Sequence, residues 1–172
     1  MKLKTIICVF MMLAFAGVKA QTDVKKETFS KEALKEKVVG LNNEEISFKD
    51  VLKKYKGKVV VIDFWASWCS DCIKGMPEVK KLQAQYKDGN TVFLFLSLDK
   101  AVDSWKKGIE RFDVVGEHYY IQAGWKGSKL CEDVKLDWIP RYMIVDKTGK
   151  IAYYKAIKAN DEQLINNLKS LQ

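Results

Sequence analysis

One histidine, four cysteines and two prolines are all that the 172 residues contain. That scarcity narrows the chemistry. A zinc site needs four Cys, His or carboxylate ligands at one point. Beyond the neighbouring pair Cys69 and Cys72, only Cys131 and His118 are on offer as further cysteine or histidine ligands outside the N-terminal apolar stretch. Cys8 lies in the N-terminal apolar stretch, so the rest of the chain has one close pair and one cysteine left over. That is not the even set of a disulfide-stapled scaffold. No basic block with interleaved aromatics occurs either. The formal net charge is +8, but its lysines are spread along the chain as on solvated helix faces, and nucleic-acid binding is not expected. There is no internal repeat and no low-complexity segment. What remains is an ordinary globular composition, 48% hydrophobic and 30% charged, in a length suited to one domain plus a short extension.

The chain also lacks a long apolar run. Thr5 to Val18 is shorter than the about 20 residues of a membrane span. With Lys2 and Lys4 before it and Val18-Lys19-Ala20 after it, residues 1–20 read as a secretory signal cut before Gln21. The alternative is a retained anchor, and the membrane would then be touched only through that uncleaved segment. No cysteine follows the apolar stretch at a lipidation position. Cleavage would remove three lysines and Cys8, lowering the formal charge from +8 to +5. Residues 21–36 then form a polar lead-in, loose as far as Thr28, and residues 37–172 the domain. A single close cysteine pair in an exported chain suggests a working redox couple in an oxidising compartment, so a periplasmic location is expected.

Along the domain, Phe29 to Lys37 predicts a short helix capped by Ser30, and Val38 to Phe48 a hairpin turning at Asn42-Asn43. Asp50 to Tyr55 predicts a helical turn or two. Val59 to Trp65 and Thr91 to Leu98 are apolar on both faces, as central strands are. The helix after the cysteine pair should turn Met76, Val79, Leu82 and Tyr86 inward, with a kink at Pro77. Asp103 is the expected cap of a helix to Phe112. A short strand is expected at Tyr119 to Ile121, and Trp125 to Leu136 reads as loop then helix. Tyr142 to Asp146 and Lys150 to Ala156 form a second hairpin, before a closing helix capped by Asn160. Strands and helices alternate, which gives a mixed sheet with helices on both faces.

The chemistry is concentrated in Trp68-Cys69-Ser70-Asp71-Cys72. A buried strand running into Cys-x-x-Cys at a helix start is the layout of a thiol–disulfide redox site. The first sulfur would sit at the positive end of the helix dipole, which favours its thiolate, and the second about one turn on. A zinc half-site and an inert disulfide are the bland alternatives. Asp63, among Val, Ile and Phe, would be costly to bury as a carboxylate, and burial would raise its pKa. A strand-face Asp near solvent is the alternative.

Gly57 to Cys69, the Met76-Pro77 step, Ile139-Pro140 before a strand, and Asp146-Lys147-Thr148-Gly149-Lys150 together resemble the thioredoxin superfamily, and within it the extracytoplasmic TlpA/ResA-like branch. The resemblance covers about residues 37–172. It implies a three-layer α/β thioredoxin-like fold, a mixed central sheet flanked by helices, with an N-terminal hairpin and a branch-specific insertion between Asp99 and Trp138. It implies that Cys69 attacks, that the more buried Cys72 resolves, and that Asp63 accepts the resolving thiol's proton through water. It makes Ile139-Pro140 a cis-proline loop whose backbone pairs with substrate, with Trp68 as an apolar contact surface that shields the thiol.

Ser70-Asp71 departs from the Gly-Pro and Pro-Pro dipeptides of relatives. An anion at Asp71 opposes a thiolate at Cys69 and favours a reductase over an oxidase, with Lys74 offsetting part of the effect. Arg141 departs from the small hydroxyl residue of cytoplasmic thioredoxins. It either biases the groove toward acidic partners or forms a surface ion pair. Cys131 reads as a buried small hydrophobe, a third redox thiol or a metal ligand, and His118 as a partly exposed strand-end residue. Trp105 and Trp125 read as packing residues, and Trp138 as one that also lines the groove.

The expected function is an extracytoplasmic thiol–disulfide oxidoreductase reducing protein disulfides. It needs no cofactor or metal, and it is re-reduced by a membrane electron donor. Apocytochrome thiols, damaged envelope proteins and a dedicated enzyme all stand as substrates. A Cu(I) carrier using both cysteines and His118 is the alternative, and a binding module with incidental redox activity a weaker one. No peroxidatic Thr-x-x-Cys pattern leads into Cys69, Cys72 or Cys131.

Overall fold

Val59–Trp65 (β3) is buried at every position, and the rest of the domain is arranged around it. The computed structural model of the chain describes residues 26–87 and 89–172, so the expected signal segment, residues 1–20, lies outside the described residues. Before β3 come α1 (Lys31–Lys35), β1 (Lys37–Gly40), β2 (Glu45–Ser47) and α2 (Phe48–Lys54). After it come α3 (Ser70–Gln85), β4 (Thr91–Ser97), α4 (Val102–Phe112), β5 (Glu117–Tyr120), α5 (Gly124–Gly127), α6 (Lys129–Asp133), β6 (Arg141–Val145), β7 (Ile151–Ala156) and α7 (Glu162–Ser170). The sheet has seven strands in the order β2-β1-β5-β4-β3-β6-β7. β3, β4 and β5 run parallel, while β6 is antiparallel to β3 and β7 to β6. Central strands covered by helices are apolar on both faces, which is why β3 and β4 are dominated by Val, Ile, Leu and Phe, with Asp63 the exception inside β3.

The stretch between Asp99 and Trp138 is woven into the sheet, since β5 lies between β4 and β1. Two caps differ from expectation. α7 is capped by Asp161, whose carboxylate accepts from the Leu164 amide at 2.8 Å, rather than by Asn160. Asp103 lies in the first turn of α4, behind Ala101 at the cap position. The lead-in is tied down from Lys26 onward. Lys26 pairs with Asp133 at 2.8 Å, the Glu27 carbonyl accepts from the Ile151 amide, and Phe29 packs edge-on against Phe48. Glu36 then accepts from Ser128 Oγ and the Leu130 amide, fixing α1 to α6. Burial of Phe29 and Ala33 drives this docking, so the described end of the lead-in is not loose.

Candidate active site

β3 ends at Trp65, a loop of Ala66, Ser67 and Trp68 follows, and Cys69 stands at the N-cap of α3. The helix therefore begins at Ser70 and contains Cys72. Cys69 Sγ accepts from the Cys72 amide at 3.1 Å, a role a cap normally gives to a side-chain oxygen. Unpaired amides at a helix start favour a negative charge, and Cys69 Sγ stands at that position. Cys69 and Cys72 are joined as a disulfide, with Cα atoms 5.3 Å apart. Cys69 keeps 6% exposure and Cys72 none, so Cys69, though less open than expected, is the sulfur a substrate can reach.

The Ile139-Pro140 peptide is cis, and the Ile139 carbonyl oxygen lies 3.6 Å from Cys69 Sγ. Trp68 and Trp138 are 56% and 55% exposed. Trp68 thus presents much of its ring to solvent beside Cys69. Trp138 lines a cleft with Pro140 and Asp71, whereas Trp105 stacks on Tyr120 and Trp125 donates to the Leu136 carbonyl. Ser70, Asp71 and Lys74 all stand in solvent on the first turns of α3.

Asp63 is buried, and neither carboxylate oxygen closes a hydrogen bond of normal geometry. Burial pushes its pKa well above the usual carboxylate range, against a smaller opposing effect of the Tyr142 hydroxyl. A buried carboxyl shifted in this direction is a candidate proton acceptor beside the cysteine pair.

Two sequence expectations need correction. Arg141 neither borders the groove nor forms a surface pair. It is fully buried, ion-paired with Asp137, bonded to the Val134 carbonyl and placed over the Tyr154 ring, so it anchors the loop that carries Pro140. His118 is buried rather than partly exposed. Its Nε2 lies 2.9 Å from the Val114 carbonyl, its ring stacks on Phe95, and burial lowers its pKa. Among the described residues no group of three or more His, Cys, Asp or Glu could hold a metal ion. Cys131 is buried, as its bland reading had it, and burial pushes its thiol up to about 11.

Asp99 was missed. It is buried beyond the end of β4, accepts from the Ser67 amide and Ser67 Oγ at 3.1 and 2.6 Å, and accepts from Ser97 Oγ at 2.9 Å. It thereby pins the loop that delivers Cys69. The available signal was position, since an acidic residue just past a central parallel strand lies at the sheet edge where such folds place their sites. Asp99→Ala is expected to cost about 2 kcal/mol by orphaning these donors. Urea unfolding would show it, and an unchanged midpoint would count against the latch.

The comparisons with known proteins agree with this geometry. The chain matches the Redoxin family over residues 17–170. The thiol-disulfide oxidoreductase ResA of Bacillus cereus is 28% identical over 87% of this chain and 82% of the relative. The thioredoxin domain of a thiol-disulfide oxidoreductase from Bacteroides vulgatus superposes with a TM-score of 0.66 at 26% identity, over 84% of this chain and 99% of that one. A thiol-disulfide oxidoreductase from Bacteroides fragilis, 24% identical, shares the fold with a TM-score of 0.68 over 83% of this chain and all of that one. Thiol–disulfide exchange is the chemistry that the cysteine pair and these relatives have in common. The chain belongs to the Redoxin family, as a ResA/TlpA-like member of the thioredoxin superfamily.

Proposed function

We propose that the pair works mainly as a reductant of protein disulfides on the periplasmic side, reached through the residue 1–20 signal, with a membrane donor restoring the dithiol. The observation that carries this reading is the buried Asp63 with no hydrogen bond closed on its carboxylate. Cys69 thiolate attacks one sulfur of the substrate disulfide, forming a mixed disulfide and releasing the other sulfur as thiolate. Cys72 then gives its proton to Asp63 through water and attacks Cys69 Sγ. The Cys69–Cys72 bond forms, the second substrate sulfur leaves, and two electrons have passed to the substrate. The couple itself carries the electrons, so the reaction needs no cofactor.

In this reading Ile139 and Pro140 present the substrate backbone and Trp68 offers an apolar contact. Ser70 and Asp71 tune the thiolate, although solvent around Asp71 screens its effect. The test is the reduction potential of the Cys69–Cys72 couple in glutathione buffers. A value near thioredoxin's, about −270 mV, is expected, and one near the strong-oxidant end, about −120 mV, would reverse the direction of the reaction.

A further inference from the structure

We propose that Tyr142 is the positioning residue of the proton step, standing between Asp63 and a surface cleft and passing the proton from one to the other. The inference rests on the reading of Asp63 as acceptor for the Cys72 proton. At one end, Tyr142 on β6 is the register partner of Asp63 on β3. Opposed residues in an antiparallel pair share one face of the sheet, with Cβ atoms about 5 Å apart. The hydroxyl is close enough to favour the ionised carboxylate against the effect of burial.

At the other end, the Tyr142 hydroxyl lies 3.5 Å from where a Cβ on Gly75 would stand. Gly75 and Tyr142 both line an open cleft of roughly 330 Å³, which Trp138, Pro140 and Lys158 also border. Glycine is a poor choice inside a helix. Here a side chain would stand against the hydroxyl, and Tyr142, though buried, forms part of the cleft wall. The same residue therefore opposes a buried acid across the sheet and lines a cleft that leads to solvent.

The protons balance as follows. Cys72 gives its proton to the Asp63 carboxylate as it attacks Cys69 Sγ. The Asp63 carboxyl passes that proton to the Tyr142 oxygen, and the hydroxyl proton of Tyr142 leaves to water in the cleft. Burial and the neighbouring Asp63 carboxylate keep Tyr142 protonated, so it acts as a neutral hydroxyl that gives and receives at once. Of the groups set beside Asp63 in the sheet, Tyr142 comes from β6. Phe95 on β4 is uncharged, and His118 continues the same row on β5, where burial lowers its pKa. Asp71, Lys74, Glu78 and Lys158 stand around the cleft.

The test follows the reduced protein against oxidised glutathione in single turnover, from acid to mildly alkaline pH, separating attack by Cys69 from resolution by Cys72. Asp63 acts as a base only above its pKa, and removing the hydroxyl raises that pKa further. Tyr142→Phe should therefore move the resolution profile up by about one pH unit, a tenfold slower rate on the acid side. The attack phase should stay unchanged, and adding Tyr142→Phe to Asp63→Asn should slow resolution no further. A Tyr142→Phe profile that overlays the wild type, or that drops equally at all pH, overturns the inference while Asp63→Asn still moves the profile. If Asp63→Asn itself leaves the profile in place, the Asp63 reading fails and this inference with it.

Discussion

Cys69→Ser is expected to lose turnover of a protein disulfide, such as those of insulin, down to the uncatalysed background. Cys72→Ser is expected to hold Cys69 in a mixed disulfide with the substrate. The asymmetry follows from position. Cys69 sits at the N-cap with its sulfur on the Cys72 amide, where a thiolate is favoured, and it is the one of the two with any exposure. Cys72 is fully buried and can reach only Cys69, so its loss removes the second step and leaves the first intact. Mass spectrometry after mixing reduced Cys72→Ser with oxidised glutathione should find one glutathione, on Cys69. Cys131 serves as the internal control. A thiol pushed up to about 11 by burial is ionised to about one part in ten thousand at neutral pH, too little for rapid exchange. Residual turnover in Cys69→Ser, or an adduct on Cys131, would contradict the assignment.

The parts of this site that the sequence discloses are those encoded by local pattern. The apolar run from Val59 to Trp65, the Cys-x-x-C at a helix start and the Pro140 before a strand each depend on neighbours in the chain, and each stands where expected. What stayed hidden depends on contacts across the fold. His118 reads as a strand-end polar residue until β5 is placed against β4, which stacks its ring on Phe95. Arg141 reads as a groove residue until Asp137 and Tyr154 enclose it. Asp99 is 32 positions from Ser67, and Tyr142 meets Asp63 only through the β3–β6 register, so no window along the chain contains either pair.

Gly108 belongs to the same hidden class, and its replacement is expected to cost both stability and reactivity. A Cβ at Gly108 would stand 2.4 Å from the Cβ of Ser67, far inside normal contact. Neither partner is free to yield. Ser67 is fixed by Asp99, and α4 is held by buried Trp105 stacked on Tyr120. Gly108→Ala should therefore cost about 3 kcal/mol as overpacking, of which the better helix propensity of alanine returns about 1. The strain falls on the loop leading to Cys69, so the rate of Cys69 attack on oxidised glutathione should fall along with the unfolding midpoint. Ser67→Gly supplies the decisive comparison. It removes the clashing Cβ and keeps the Ser67 amide that Asp99 binds, losing only the hydroxyl bond. The double variant should then recover most of both losses, because removing either Cβ relieves the same contact. If the two substitutions simply add, the close approach of α4 to the active-site loop is not what requires glycine at position 108.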